Sequence, residues 1–486
     1  MILTLALRHL VVRKVRTLFL LLGFGTGVAT MIVLLSVGEA MVVQSRDVSL
    51  VGGGEVTVLP QGVDLEALRT GALTGMFFGI DRARFVGRTM LGGPRHGDLV
   101  RAVAPAIEGK LLYLGVGDRV LAVRAGGEIP SRAEAAGTGL AVARGIWRDS
   151  DADSAWIAPS AQQLYDQLDR FHRPTGRDST WGEWHYFNVV SGPEEWWYIS
   201  YLVGGDIRGG PGRWGGQLLV TRRRADGRYD RFVSSVPDEA VVFDTTRADL
   251  TIGESTVSQR SGLYFLDGTA DGEAGTLRFR LTVRPERHRY FPPVELRNET
   301  FLSGYVVPAL RASAAGELCV DGDCLAVTNA DAYHDHNWGV WQGVTWEWGM
   351  GRGTSLDLLY GGVLREGTDD PAASPYFLAV VDSLGMRQIL RFTDVAYEGA
   401  APVAGEPGIL APARFTLTAR REDDQVALAV DVLSAQATRA TVAGLDRSFL
   451  QLRGRFRLEG RLAGQVVADS GLGFFETWVA TPTATP

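Results

Sequence analysis

Lysine is nearly missing from this chain of 486 residues: among 49 basic side chains only Lys14 and Lys110 are not arginine. No glycine-rich phosphate loop follows a strand and neither lysine can serve a Walker-type loop, which excludes an ATPase and a dinucleotide-dependent oxidoreductase. The arginines are spread over the whole length and read as a compositional bias, not as a binding surface. Net charge is −7, with no basic stripe beyond the first sixteen residues, so nucleic acid is excluded as a partner. Cysteine is scarce, with two residues, and none of the twelve tryptophans precedes Trp147.

Long apolar runs are scarce as well. The only one spans Thr17 to Val37, twenty-one residues without a formal charge, enough for a helix across a hydrocarbon core of ~30 Å. Arg8, Arg13, Lys14 and Arg16 precede it, and positive flanks stay in the cytoplasm. The pattern predicts a single-pass anchor at 17–37 in the cytoplasmic membrane, with 1–16 inside and the bulk of the chain outside. A cleaved signal peptide is the competing reading, although its apolar region is usually ~7–15 residues. "PYFLAVVDSLGM" is short and interrupted by Asp382, so a single span is left, which cannot line a pore.

Outside the cytoplasm disulfides persist. Cys319 and Cys324 flank Val-Asp-Gly-Asp, and Asp-Gly between two apolar runs is a hairpin turn that can bring its flanks within disulfide reach. A C-x4-C zinc half-site would need a second cysteine pair, so a disulfide is predicted here. Hydrophobic content of 45% supplies cores for about three domains of ~150 residues each. Residues 38–150 read as a small α+β extracytoplasmic domain: "LVGGGEVTVLPQGVDLEAL" as strand, turn and short helix, then "DLVRAVAPAIEGKLLYL" and "DRVLAVRAGGEIP" as alternating strands. A helix-like entry, "ADSAWIAPSAQQLYDQLDRFHRP", opens the next region. About a dozen short strands separated by Gly and Asp turns follow, which suits two consecutive antiparallel barrels, at 151–305 and 306–480. The Thr/Pro-rich 481–486 is predicted to be disordered. A barrel of about eight strands can hold one apolar ligand.

Two stretches carry candidate chemistry. "GEWHYFNVV" and "EEWWYISYL" align at a spacing of twelve, Glu183 with Glu195 and Tyr186 with Tyr198, with Glu183, Trp196, Trp197 and Tyr198 as candidate ligand contacts. "AYHDHNWGVWQGVTWEWG" (332–349) gathers two of the seven histidines and four tryptophans. On a strand, His334, His336 and Trp338 share one face while Tyr333, Asp335 and Asn337 share the other. Three readings compete. Two histidines at i, i+2 could ligate zinc, but a third ligand is not visible at suitable spacing, since His185 and His288 lie on other segments; no metal and no cofactor are expected. Alternatively the rings fill a barrel and Asp335 caps a turn. In the third reading Asp335 or His336 donates a proton to an alkene, its pKa tuned by burial and neighbours. Trp338 and Trp346 then form aromatic walls for the resulting cation, Glu347 and Tyr360 are its partners, and His334 and Trp348 are further ligand contacts.

Two resemblances add to these readings. "LALRHLVVRKVRTLFLLLGFGTGVATMIVLLSVGEA" followed by "GGGEVTVLPQG" resembles the start of macrolide-exporter-type ABC permeases over residues 1–140. That likeness implies an anchor, an extracytoplasmic core domain and ABC transporter subunits as partners, although the later helices of such permeases are missing. "EWWYISYL", "SGYVVPALRASAAGEL", "AYHDHNWG", "TWEWG" and "GLGFFETW" together resemble the carotenoid 1,2-hydratase (hydroxyneurosporene synthase) and AttH-like group over about 150–480. This second likeness implies two lipocalin-like barrels and hydration or isomerisation of an apolar isoprenoid or lipid, with a non-catalytic binding module as the alternative. The family joins its His-x-Trp to a Tyr-x-Asp on a following strand; here the nearest equivalent is Tyr360-Gly361-Gly362, with Asp357 at a different offset.

Overall fold

In a computed structural model of the chain, residues 14–46, 56–58, 80–95, 97–117, 119–137, 148–151, 169–172, 181–205, 214–297, 302–340, 343–365, 376–442 and 445–481 are described. Most of the strand, turn and helix expected at 50–68, of the helix-like entry at 152–174 and of the tail at 481–486 lies outside them. The chain divides into two compact units, 1–92 with 96–158 and 93–95 with 159–486.

In the first unit, α1 (Lys14–Arg46) contains the apolar window Thr17–Ser36, long and apolar enough to cross a membrane or to be a signal sequence. After α2 (Ile80–Gly92), the two alternating segments form a hairpin of β1 (Ala106–Val116) and β2 (Arg119–Glu128), turning at Gly117 with φ 59°, and α3 (Pro130–Ala136) follows.

The second unit is built almost wholly of antiparallel strands, as the sequence predicts. Its first sheet comprises β3 (Trp181–Gly192), β4 (Glu195–Gly204), β5 (Gly215–Arg223), β6 (Tyr229–Pro237), the short β7 (Val241–Phe243), β8 (Leu250–Ile252) and β9 (Ser255–Arg260), then β10 (Leu263–Gly272), β11 (Gly275–Pro285), β12 (Phe291–Arg297), β13 (Leu302–Val320) and β14 (Asp323–Val340). The order β11-β13-β14-β3-β4-β5-β6-β10 closes on itself through β10–β11, giving an eight-stranded barrel. The sheet therefore runs on to Val340, past the boundary placed at 305, because the hairpin of β13 and β14 hydrogen-bonds to β11 on one side and β3 on the other.

Next come β15 (Val344–Gly353), β16 (Asp357–Arg365), β17 (Tyr376–Asp382), β18 (Gly385–Phe392), β19 (Ala396–Glu398), β20 (Ala401–Pro402), β21 (Leu410–Ala411), β22 (Arg414–Arg421), β23 (Asp424–Val442), β24 (Leu445–Leu462) and β25 (Gln465–Ala480). Their main sheet, β18-β17-β16-β15-β25-β24-β23-β22, is brought round on itself by the pair Arg391 and Arg420.

Each barrel has its own core, around Phe187, Ile199, Leu218 and Tyr264 in the first and Tyr360, Phe415, Phe456 and Phe475 in the second. A third cluster, with Trp196, Tyr198, Tyr305, Tyr333, Phe377 and Phe474, fills the junction between the two. Strands that face solvent alternate buried and exposed residues, as in β11. Strands at the junction are buried on both faces; in β13 the whole run Ser303–Leu310 is buried. Cys319 and Cys324 pair across β13 and β14 with Cα atoms 4.0 Å apart and are joined by a disulfide. The turn residues Asp321 and Gly322 both have positive φ, 48° and 90°, the conformation that makes Asp-Gly a hairpin signal.

Candidate active site

Strand alternation decides the fate of the histidine motif. His334, His336 and Trp338 project into the first barrel, whereas Tyr333, Asp335 and Asn337 project into the junction. Pairing of β14 with β3 sets His336 opposite His185 and Trp338 opposite Glu183. Asp169 and His172, from the segment before β3, complete the cluster. Asp169, Glu183, His185, His334 and His336 are all at most 1% exposed.

Hydrogen bonds knit these groups together. His336 Nδ1 lies 2.8 Å from Asp169 Oδ1 and its Nε2 lies 2.8 Å from Glu183 Oε1. Carboxylate oxygens only accept, so His336 donates at both nitrogens. Glu183 Oε1 also accepts the backbone N–H of His172 at 2.6 Å, while its Oε2 has no hydrogen-bond partner among the described residues. Tyr264 donates its hydroxyl to Asp169 Oδ2, which lies 3.3 Å from His334 Nε2. At the other side of its ring, His334 Nδ1 is 3.0 Å from the Tyr186 carbonyl oxygen. Among the described residues neither nitrogen of His185 has a hydrogen-bond partner, although its ring centroid is 4.0 Å from that of His336.

The electrostatics follow from these contacts. Burial works against a charged His336, but hydrogen bonds to Asp169 and Glu183 outweigh it and lift the ring to about 9. Burial, reinforced by the neighbouring His336, holds His185 well below the usual histidine range. For Asp169 burial alone would raise the pKa, yet the surrounding histidines, His334 foremost, hold it well below the carboxylate range.

Aromatic rings wall the cluster. Phe187 stacks on His334 at 4.0 Å, and Trp338 stacks on His172 at 3.6 Å with 8° between the planes. Trp338 packs with Trp181, and Trp214 lies against the same group. The indole of Trp338 lies across Gly304, where a Cβ would sit 2.1 Å from the ring, so only glycine fits beneath it. Among the cluster residues His172 is the partly exposed one, with 20% of its side chain accessible.

The remaining expected site residues lie elsewhere. Asp335 and His336 do not share a site, because neighbours on a strand face opposite ways. Asp335 accepts from Asn337 Nδ2 at 2.6 Å in the junction, and burial pushes it up to about 8. Trp348 donates to the Tyr333 hydroxyl, and Trp196 to that of Tyr198, both at 3.2 Å. Trp346 donates to Glu476 Oε2 at 3.0 Å and packs on Trp478. Glu347 lies in the second barrel, bonded to Tyr397 at 2.6 Å and Thr477 at 2.7 Å, and Tyr360 is in that barrel's aromatic core. Trp197 does belong to the first barrel's core, donating to Ser191 Oγ at 3.2 Å.

Asp169, His172, His185 and Tyr264 were not anticipated as site residues. His185 stood in the aligned repeat, and its place opposite His336 could have been read from a pairing of the two motifs. The "LDRFH" segment carried no local signal, since nothing in its pattern says which strand it will meet. Folding brings donor atoms of Asp169 and His185 within 4.8 Å of one on His334, a proximity that the linear spacing does not show. A cleft of about 480 Å³ lies on the other face of β14, between the barrels, lined by Tyr333, Met350, Phe474, Arg311, Arg352 and Arg453 among others. It does not coincide with the histidine cluster.

No family model matches this chain, and no curated protein matches it. Among solved structures, an AttH-type protein from Nitrosomonas europaea is similar over 66% of this chain and 98% of its own, at 12% identity and a TM-score of 0.45. CghA with Sch210972 is similar over 63% of this chain and 90% of its own, at 12% identity and 0.45. Kievitone hydratase from Nectria haematococca is similar over 66% and 94%, at 13% identity and 0.41. These likenesses concern the fold and assign neither substrate nor reaction. The permease-like reading of residues 1–140 finds no support among them.

Proposed function

We propose that the first barrel is a hydratase-like proton-transfer site for an apolar, unsaturated substrate of isoprenoid or lipid type. The observation that carries this reading is the chain Asp169, His336, Glu183: one imidazole bridges two buried carboxylates, and the chain ends at Glu183 Oε2, a buried oxygen without a hydrogen-bond partner among the described residues. With Glu183 protonated at Oε2, that proton can be delivered to an alkene carbon while Oε1 takes one from His336. Water then bonds to the neighbouring carbon, and its surplus proton returns to the chain, so that C=C and H2O become H–C–C–OH. Trp338 and Phe187, stacked on His172 and His334, wall the cluster with apolar surface and few competing nucleophiles. General acid catalysis of this kind contributes ~10²–10⁴-fold.

The test is incubation of the full chain with a panel of isoprenoid and unsaturated lipid alkenes in D2O. Hydration places one deuterium on carbon, and Glu183→Gln should abolish that label while substrate binding persists. Equal labelling by the variant, or binding of panel members without any labelling, would favour the non-catalytic binding module instead. The apolar window of α1 supports a location at the cytoplasmic membrane, with the basic residues before Thr17 inside and the barrels outside. A reporter fused after Pro486 that reads as cytoplasmic would overturn that placement.

A further inference from the structure

We propose that Asp169, His185 and His334 form a binding site for one divalent cation of the zinc class. Their donor atoms all lie within 4.8 Å of one another, and all three residues are buried. Zinc–nitrogen and zinc–oxygen bonds of ~2.0–2.2 Å separate tetrahedral donors by roughly 3.4 Å. Asp169 Oδ2 and His334 Nε2 are already 3.3 Å apart, and His185 Nδ1 lies 4.0 Å from the other oxygen of the same carboxylate.

Three independent features point to a cation. The first is His185, fully buried, with neither ring nitrogen hydrogen-bonded among the described residues. A buried polar group left in that state costs ~1–3 kcal/mol, which a metal–nitrogen bond would offset. The second is the orientation of His334. Its Nδ1 faces the Tyr186 carbonyl oxygen, an acceptor, and so must donate there; that arrangement fixes the tautomer of metal-bound histidines and directs the Nε2 lone pair at the ion. With the ring neutral in that tautomer, Nε2 and Asp169 Oδ2 would face each other as two lone-pair atoms, a contact that a cation between them makes favourable. The third is charge. Among the described residues the ion-pair partners of Asp169 and Glu183 are histidines alone. His336 can neutralise one of the two carboxylates, and a cation at Asp169 supplies the balance.

Two imidazoles and one carboxylate match borderline first-row ions, and three protein ligands leave a fourth tetrahedral position for water or a substrate atom. Tyr264 and His336 would remain as outer hydrogen-bond donors to the Asp169 carboxylate. Cation binding needs no substrate, so its outcome is independent of the hydration reading.

The experiment uses the full chain stripped with a chelator and titrated with Zn2+ by calorimetry and with Co2+ by visible absorption. The expected result is one equivalent per chain, a rise in melting temperature with Zn2+, and a cobalt spectrum of low coordination number. Paramagnetic NMR of the cobalt form should show two shifted imidazole N–H resonances, that of His334 exchanging slowly. His185→Gln should weaken binding beyond the ~10–100-fold typical of a lost outer partner, whereas His172→Gln, in the adjoining group of His172, Glu183 and His336, should leave it unchanged. Failure of the parent to bind either metal, a lack of imidazole shifts, or binding lost with His172→Gln but retained by His185→Gln would overturn the site. Should His185→Gln not fold, the NMR signature of the parent decides alone.

Discussion

His336 Nε2 sits 2.8 Å from Glu183 Oε1, a contact between β14 and β3 made inside a barrel and closed to solvent on both sides. Removing the ring should strand two like-charged carboxylates in the interior. His336→Leu is expected to destabilise the fold by ~3–5 kcal/mol, the usual cost of breaking a buried pair. Adding Glu183→Leu should recover part of that loss, since apolar replacement of a whole buried pair is often neutral. Chemical denaturation of the parent, the single and the double variant measures both. A double variant less stable than the single one would contradict the pairing.

Gly304→Ala tests the packing of Trp338. Its new methyl would meet the indole, and overpacking of this sort costs ~1–3 kcal/mol. The displaced ring should also leave its stack on His172, which a change in tryptophan fluorescence reports. A melt and an emission spectrum indistinguishable from the parent would show that the ring is free to move.

The second barrel predicts a pH dependence of stability. Burial lifts Glu347 to about 7, against hydrogen bonds from Tyr397 and Thr477, and lifts Glu476 to about 7, against those from Trp346 and Gln451. A folded-state value above the ~4.3 of a free glutamate means that the native chain holds the proton more tightly than the unfolded one. The resulting stability is fully present below about pH 4.3 and is lost as pH rises through about 7. Melting temperatures should fall across that window, and less steeply in Glu347→Gln. An unchanged slope in the variant would remove Glu347 as a cause.

Thiol labelling of unreduced protein should find Cys319 and Cys324 inert, with both reacting once a reductant is added. The loop they close is short, and the chain-entropy relation assigns such a loop roughly 2 kcal/mol. Reduction is therefore expected to lower the melting temperature only modestly, without unfolding the barrels. Global unfolding on reduction would mean that the hairpin tip matters far more than its position suggests.

How much was legible beforehand follows from the range of each interaction. The two-barrel β architecture, the Asp-Gly hairpin with its cysteines and the face shared by His334, His336 and Trp338 are local properties of alternation and turn chemistry. Asp335 and Glu347 carried no such information about their neighbours. Their motif was compact in sequence, but β14 ends at Val340 and β15, from Val344, belongs to a different barrel, so Glu347 is carried away from His336. Asp169 and Tyr264 join the cluster across 165 and 70 positions of chain from His334, separations at which composition and spacing say nothing.

β14 is a party wall. One side of it belongs to the chamber of His334 and His336, the other to the room shared with the second barrel, and no residue on it is idle between Ala332 and Trp338. A slip of its pairing with β3 by a single residue would exchange the two sets of tenants, sending Tyr333 and Asp335 among the histidines and the histidines into the junction. The wall therefore tolerates neither insertion nor deletion of one residue, whereas a change of two would restore each side chain to its own side and merely shift it along the barrel.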